Sequence, residues 1–278
     1  MNKKAKVIIM VILLMLIIFS LVAVMIFSIS SNNFKHIIIN HKVSNNIVHE
    51  EVYENDFNEI SIDTDAADIK IKKSTDDKIK LVIYADEEKQ TIKVNNLDDL
   101  DINIKNKSKI GFFNINYTSS KIELYLPENF DDTIDIDSDF GDIDIASFSN
   151  LNLSLEGDCG DVNIKKANDV KMDIDCGDIE IGTVNDLFIE SDLSDIEVEQ
   201  INNYINIKSD LGDIDIDNVT LSKNSSIISN LGDISIQNIS NVFIDAEVDL
   251  GEISINNNSK RSDIILKVES DLGDVDVN

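Results

Sequence analysis

Eight acidic side chains recur at one position of a short repeated phrase, and they have the clearest chemistry in this sequence. Each follows a glycine, or the serine that replaces it once: Asp142, Asp161, Asp178, Asp195, Asp213, Asp233, Glu252 and Asp274. Hard cations prefer several oxygen ligands, so one hypothesis is that Ca²⁺ or Mg²⁺ binds loosely along this row. The favoured alternative is that these residues cap turns and keep the protein soluble, without a defined metal site.

A second polar column stands two residues before the glycine. Its members are Asp139, Asp158, Asp175, Asp192, Asp210, Asn230, Asp249 and Asp271. Carboxylates about 5 Å apart repel each other by about 1 kcal/mol even at the dielectric constant of water, so both columns should attract cations. The nine-residue calcium-binding repeat of some β-helices is missing, and the columns offer single carboxylates rather than a closed cage.

The phrase that carries both columns indicates β-strands. It reads SDFGDIDI, GDCGDVNI, IDCGDIEI, SDLSDIEV, SDLGDIDI, SNLGDISI, VDLGEISI and SDLGDVDV. Ile or Val stands two and four residues after the glycine, with polar residues between, which is typical of a strand buried on one face. The Phe, Cys or Leu before the glycine is predicted to point inward as well. At Ser194 the missing glycine indicates either strain or a corner that does not require a positive φ.

The spacing of the phrases predicts how these strands are arranged. The glycine position recurs at intervals of 17 to 22 residues, which suits one coil of a solenoid with parallel stacked strands. Alternating runs between the phrases, such as 151–155, supply a second sheet. We therefore predict an all-β fold, a β-solenoid of about eight stacked coils over residues 131–278. An antiparallel meander is the alternative.

Residues 57–130 alternate in the same manner but lack the phrase, and they are predicted to form an irregular β cap. Residues 64–71 look like a degenerate first copy. On these features the chain resembles bacterial membrane-anchored proteins of unknown function with a β-strand-repeat domain, commonly labelled as candidate adhesins. The resemblance covers residues 57–278 and rests on the irregular β region followed by serial copies of S-D-L-G-D-I-x-I. It implies surface exposure and supplies no catalytic residues.

The N-terminal part indicates a membrane anchor. Residues 7–29 contain no charge, glycine or proline, and as a helix they would span roughly 35 Å, enough to cross a hydrocarbon core of about 30 Å. Lys3, Lys4 and Lys6 place residues 1–6 in the cytoplasm and the rest of this single-pass protein outside, after a polar linker over residues 30–56. A cleaved signal peptide is the alternative.

Composition narrows the function. The chain has 53 acidic and 24 basic residues and a formal net charge of -29, which argues against nucleic-acid binding. All three histidines, His36, His41 and His49, lie in the predicted linker, where a solvated segment is favoured over a metal site. The region beyond has no histidine for a conventional catalytic triad, so we predict that the protein is not an enzyme.

Cys159 and Cys176 occupy the same column in successive phrases. Stacking could bring them close enough for a disulfide, but two thiols that fill an apolar slot are the favoured interpretation. The last phrase, 270–277, stops one residue short of the end of the chain, so its outer backbone edge is predicted to be open for pairing.

These features favour a cell-surface binding or scaffold protein with no resident cofactor. Its predicted partners are the membrane, an envelope protein, a cationic peptide, or a second copy bound through the C-terminal edge. One alternative is an envelope-stress sensor that binds cations or cationic peptides. The less favoured alternative is a polysaccharide-active enzyme.

Overall fold

The structure is a computed structural model that describes residues 42–54, 57, 59–107, 118–256, 259 and 262–278. All regular elements in these ranges are β-strands. The predicted cytoplasmic tail and anchor lie outside the described residues, as do His36, His41 and much of the predicted linker. Within the described ranges, no helix has the length and hydropathy needed to span a membrane.

The strands fall into an N-terminal group and a repeat group. The first group contains β1 (Lys42–Val43), β2 (Ile47–Tyr53), β3 (Glu59–Thr64), β4 (Ala67–Lys73), β5 (Ile79–Tyr84), β6 (Gln90–Asn96), β7 (Leu100–Asn106) and β8 (Thr118–Leu126). The second contains β9 (Thr133–Phe140), β10 (Ile143–Ser147), β11 (Asn152–Cys159), β12 (Val162–Lys166), β13 (Asp169–Cys176), β14 (Ile179–Leu193), β15 (Ile196–Leu211), β16 (Ile214–Val219), β17 (Ser225–Leu231), β18 (Ile234–Ile236), β19 (Phe243–Leu250), β20 (Ile253–Ile255), β21 (Ile265–Leu272) and β22 (Val275–Val277).

Strand pairing arranges these elements in two stacks, apart from β1, which pairs in parallel with the start of β8. Sheet I follows the order β2, β5, β8, β4, β10, β12, the first half of β14, the first half of β15, β16, β18, β22 and β20. Sheet II follows the order β6, β7, β3, β9, β11, β13, the second half of β14, the second half of β15, β17, β21 and β19. Every pair among the repeat strands is parallel, so the predicted parallel stack is confirmed and the meander is excluded.

The aliphatic columns of the phrase fill the space between the two sheets. Ile143 and Ile145 pair with Val162 and Ile164, and all four side chains are buried. One continuous cluster of buried apolar residues extends from the N-terminal strands to Val277. Burial of each such side chain contributes about 1.5–3 kcal/mol, so stacking supplies the core that a single coil lacks.

The degenerate copy at residues 64–71 stacks directly on the first full phrase. Ile69 and Ile71 pair with Ile143 and Ile145, and Thr64 pairs with Ser138. On the far side of this copy, β7 and β8 continue the two sheets in parallel, and β2, β5 and β6 are added in antiparallel pairs. The N-terminal strands therefore cover the face that the first phrase would otherwise leave open.

At the other end, the predicted position of the last phrase is wrong. Strand β22 lies between β18 and β20, and β21 lies between β17 and β19. The interval between Gly251 and Gly273 is the longest of the series, and it leaves enough chain for the final phrase to step back over the preceding one. Strands β19 and β20 form the distal edge, where Ile253 is 45% exposed while Val277 is fully buried.

Candidate functional site

The predicted site residues come together along one corner of the stack, where the chain passes from sheet II to sheet I. We call this the glycine corner and define it as the four residues from two before the glycine position to one after it in each phrase. Glycine is needed at most copies because neighbouring coils approach closely. A Cβ atom on Gly212, whose φ is +128°, would lie 2.0 Å from the carbonyl oxygen of Ser194.

Ser194 shows that the corner does not strictly require a positive φ. Neither Ser194 nor Gly160 has a positive φ. The hydroxyl of Ser194 is buried and accepts a hydrogen bond from the Ser191 hydroxyl at 2.6 Å. The sequence left two explanations open for Ser194, strain or a corner that does not require a positive φ, and the structure supports a corner without that requirement.

The carboxylates after the glycine form the predicted row, and all eight are exposed. In six neighbouring pairs, one carboxylate oxygen accepts a hydrogen bond from the backbone N–H of the next member. Donor and acceptor are Asp161 and Asp142 (3.3 Å), Asp178 and Asp161 (3.1 Å), Asp213 and Asp195 (2.9 Å), Asp233 and Asp213 (2.8 Å), Asp274 and Asp233 (2.7 Å), and Glu252 and Asp274 (2.8 Å). These carboxylates therefore link successive coils.

This linkage gives the row a structural role. Within the described ranges, no three or more His, Cys, Asp or Glu side chains are grouped so that they could hold a metal ion. The row after the glycine is a line of single carboxylates. In most of them, one Oδ atom already accepts a hydrogen bond from a backbone N–H. Loose binding of Ca²⁺ or Mg²⁺ along it stays a prediction.

The column two residues before the glycine forms a parallel acidic row. Its members are exposed except for the half-buried Asp139. Burial and the negative charge of Asp158 raise the pKa of Asp139. At Asn230 an amide replaces the carboxylate and donates a hydrogen bond to Asp210 at 2.7 Å. The row therefore tolerates an amide in place of an acid.

The residue directly before the glycine does not point into the core, and the prediction that it does so is wrong. This column pairs in register from coil to coil: Phe140, Cys159, Cys176, Leu193, Leu211, Leu231, Leu272 and Leu250. Leu193 is 56% exposed, and Phe140 and Leu211 are each 38% exposed. The alternation of inward-facing and outward-facing side chains ends before this residue, because the chain turns at the glycine that follows it. Four members of the column are exposed and the other four are partly buried, and together the side chains form an apolar ridge between the two acidic rows.

The family of the chain is shown by its match to a family model. The model described as Toastrack DUF4097 matches residues 57–278. The chain belongs to the Toastrack DUF4097 family. This confirms the resemblance seen in the sequence, and the match begins and ends at the residues that the resemblance covers.

Solved structures similar to this Toastrack chain include proteins from Bacteroides fragilis and Parabacteroides distasonis. A candidate adhesin from Bacteroides fragilis is 19% identical, with a TM-score of 0.46, over 84% of this chain and 98% of its own. A candidate lipid-binding protein from Parabacteroides distasonis is 17% identical, with a TM-score of 0.47, over 84% of this chain and 99% of its own. The chain matches none of the curated proteins with which it was compared.

Two ridge residues of the Toastrack chain are covalently joined. The Sγ atoms of Cys159 and Cys176 form a disulfide, and their Cα atoms are 4.6 Å apart. The favoured interpretation of two apolar thiols is therefore wrong. Parallel in-register pairing of the two coils places the cysteines directly opposite each other, which the equal column position made possible.

A ladder of asparagine side chains was missed in the sequence. Asn168 donates to Asn152 at 3.0 Å, Asn185 to Asn168 at 2.6 Å, and Asn202 to Asn185 at 3.4 Å. The signal was present, because these residues recur at 16 or 17 residues, but it was hidden among many other asparagines. This ladder joins four successive coils away from the glycine corner.

Proposed function

We propose that this protein is a non-catalytic binding or scaffold protein that presents an acidic β-solenoid to cationic partners outside the membrane. The observation that carries the proposal is the exposure of two carboxylate rows along the whole glycine corner. Exposed charges of one sign raise the local concentration of opposite charges and accelerate their association. The arrangement favours a cationic peptide or protein over any anionic partner.

Charge is distributed unevenly along the chain, and this supports the proposal. Residues 133–278 contain 33 acidic and 8 basic residues, a net charge of -25, whereas residues 30–132 contain 20 and 13, a net charge of -7. In the N-terminal strands lysines pair closely with acids, as in Lys70 with Asp144 at 2.6 Å and Lys72 with Glu123 at 2.9 Å. The repeats have too few lysines to neutralise their carboxylates in this way.

The outer face of sheet I adds to the negative surface. Gly182 lies in a depression of about 230 Å³ on this face. Its acidic lining consists of Glu180, Glu197, Glu199, Asp215 and Asp217, and Lys165 is the basic residue beside them. A cationic side chain would find several carboxylate oxygens at this face.

The location of the protein is part of the proposal. The uncharged stretch at residues 7–29 supports a single-pass anchor with the solenoid outside the cytoplasmic membrane. A disulfide between Cys159 and Cys176 is consistent with an oxidising compartment. An envelope-stress sensor that binds the same cationic ligands is the alternative, and it would need a membrane partner to signal.

The distal edge favours a second mode of binding by strand addition. In the part of the chain that the structure describes, β19 and β20 pair with β21 and β22 on one side, and no strand pairs with their other side. Ile253 and Leu250 are exposed there, and Glu247 and Glu252 carry negative charge. A partner strand rich in lysine fits this edge better than a second copy, whose own acids would be repelled.

Binding of an oligolysine peptide to the full chain in a non-ionic detergent tests the proposed function. We expect binding that weakens as salt increases, and weaker binding after Glu180→Gln, Glu197→Gln and Asp215→Asn are combined. The control combines Glu87→Gln, Glu88→Gln and Asp98→Asn, which remove the same charge from exposed positions in the N-terminal part. Absence of binding by the unaltered protein at low salt would rule out a cationic partner.

A further inference from the structure

The apolar ridge is not explained by the fold or by a role in binding cations alone. Eight coils place an apolar side chain at the same outward position, although polar residues would be better solvated there. Large contiguous apolar surfaces on soluble domains mark sites of interaction. The ridge lies between the two acidic rows along its whole length, so its apolar and charged parts form one continuous surface.

We propose that the ridge and its two flanking acidic rows dock one cationic amphipathic α-helix from a partner peptide or protein. This rests on the proposed function, which supplies the cationic partner, and it adds that the partner is helical and has a narrow apolar stripe. Leucines of the helix would pack on ridge residues such as Leu193 and Leu211. Lysine or arginine side chains on both sides of the stripe would reach the two rows.

The spacing of the ridge selects a helix over an extended strand. Neighbouring coils place ridge residues about 4.8 Å apart. Apolar residues at alternating i+3 and i+4 positions advance about 5.3 Å along a helix, whereas residues on one face of a strand advance about 6.7 Å. Over four coils, the difference between the helical advance and the coil spacing adds up to about 2 Å, which is less than half of the distance between two neighbouring coils. A strand loses register after one or two coils.

The charge pattern selects a cationic helix over a membrane surface. Both flanking rows are acidic, so an anionic lipid surface would be repelled from either side of the ridge. In the row after the glycine, hydrogen bonding to the backbone occupies one oxygen of most carboxylates and leaves the other for a ligand. A helix with basic residues flanking an apolar stripe is complementary to both features.

The binding experiment uses the full chain and a synthetic leucine–lysine peptide with leucine at i, i+3, i+4 and i+7. Affinity is measured by fluorescence anisotropy and peptide helicity by circular dichroism. We expect the peptide to bind and to gain helicity. A scrambled peptide of the same composition, which carries the same charge without the stripe, is expected to bind about tenfold more weakly.

Two variants separate the ridge from the acidic rows. Leu193→Gln combined with Leu211→Gln should weaken binding about tenfold without changing its salt dependence, since only apolar contact is lost. Leu97→Gln is the control, because Leu97 is an exposed leucine, 80% accessible, that lies away from the ridge. Asp175→Asn, Asp192→Asn and Asp210→Asn together should weaken binding and reduce its salt dependence. These substitutions should leave the fold intact, because Asn230 occupies the same column.

The outcomes distinguish this inference from the proposed function. Equal binding of the amphipathic and scrambled peptides would overturn the ridge as a docking surface while leaving cation binding in place. The same conclusion follows if the leucine variant binds as the unaltered protein does, or if the bound peptide gains strand rather than helix. Tighter binding to anionic vesicles than to the peptide would assign the ridge to a membrane and overturn the inference. Failure of every lysine peptide to bind would remove the proposed function itself.

Discussion

The backbone N–H of Gly273 donates a hydrogen bond to the carbonyl oxygen of Leu250 at 3.1 Å, so the last phrase lies against the inner side of the phrase that precedes it. On its other side, the N–H of Gly232 donates to Leu272 at 3.1 Å. The C-terminal phrase therefore has a partner coil on both sides. Among the described residues, the final phrase therefore lies inside the stack and the penultimate phrase forms its edge.

This order predicts that the C-terminal strand is more important for stability than the strand before it. Val277→Ala removes a fully buried side chain and should lower the free energy of unfolding by about 2 kcal/mol. Ile253→Ala, at a position that is 45% exposed, is the control and should cost much less. Urea unfolding of the full chain measures both. A larger effect at Ile253 would place the final phrase at the edge instead.

Reduction of the bond between Cys159 and Cys176 should destabilise the repeats. The bond closes a segment with a sequence separation of 17 residues, and a loop of that size predicts a stabilisation of about 3 kcal/mol. Urea unfolding with and without reductant should show this difference. The variant with Cys159→Ser and Cys176→Ser should not respond to reductant. Alkylation of both thiols in folded protein before reduction would contradict the prediction.

Local periodicity was enough to predict the strands, their parallel stacking and the position of the core. Ile143 and Ile145 alternate with polar residues, and a period of two determines which face of a strand is buried. The degenerate copy near Ile69 could also be recognised, because it keeps the two aliphatic positions of the phrase. These features depend on residues that are close together in the sequence, so the amino-acid sequence alone is enough to predict them.

The features that the sequence failed to predict depend on how coils meet. Alternation predicts that Leu193 points inward, but the turn at the next residue reverses its direction. Similarity between phrases predicts that they stack, but equal phrases do not specify their order, and the order changes between Gly232 and Gly251. The bond between Cys159 and Cys176 could be recognised as an option, but choosing it required the actual separation of the two Cα atoms.

A buried carboxylate in β8 should make stability depend on pH. Burial alone would raise the pKa of Glu123, but hydrogen bonds from Lys72, Lys121 and Tyr125 outweigh it and lower the pKa to about 2. The ionised carboxylate therefore stabilises the fold above the ordinary pKa of glutamate, and this contribution is lost as the pH falls from about 5 to 2. Glu123→Gln should cost about 2 kcal/mol at pH 6, since both lysines are partly exposed to solvent.

The difference between the unaltered protein and Glu123→Gln isolates this group from the other carboxylates. Protonation of the acidic rows relieves repulsion in both proteins, so it cancels in the comparison. The difference in the free energy of unfolding should shrink from pH 6 to pH 3. Glu128→Gln is the control, because Glu128 is 78% exposed and its contact with Lys73 should contribute little. A difference that is constant with pH would show that Glu123 acts by packing alone.

Buried serines behind the ridge occupy the column three residues before the glycine, and replacing two of them by alanine should affect stability differently. The Ser229 hydroxyl is buried and has no hydrogen-bond partner among the described residues, whereas the Ser191 hydroxyl donates to Ser194. Leaving a buried hydroxyl unsatisfied costs about 1–3 kcal/mol, so Ser229→Ala should leave stability unchanged or raise it by about 1 kcal/mol. Ser191→Ala should lower the free energy of unfolding by about 1 kcal/mol, because the substitution removes a satisfied hydrogen bond.

Other phrases place Gly157, Ile174 and Val248 in this column, so an apolar residue is accommodated. Urea unfolding of both variants measures the effect, and a greater loss for Ser229→Ala than for Ser191→Ala would show that the Ser229 hydroxyl is satisfied in solution.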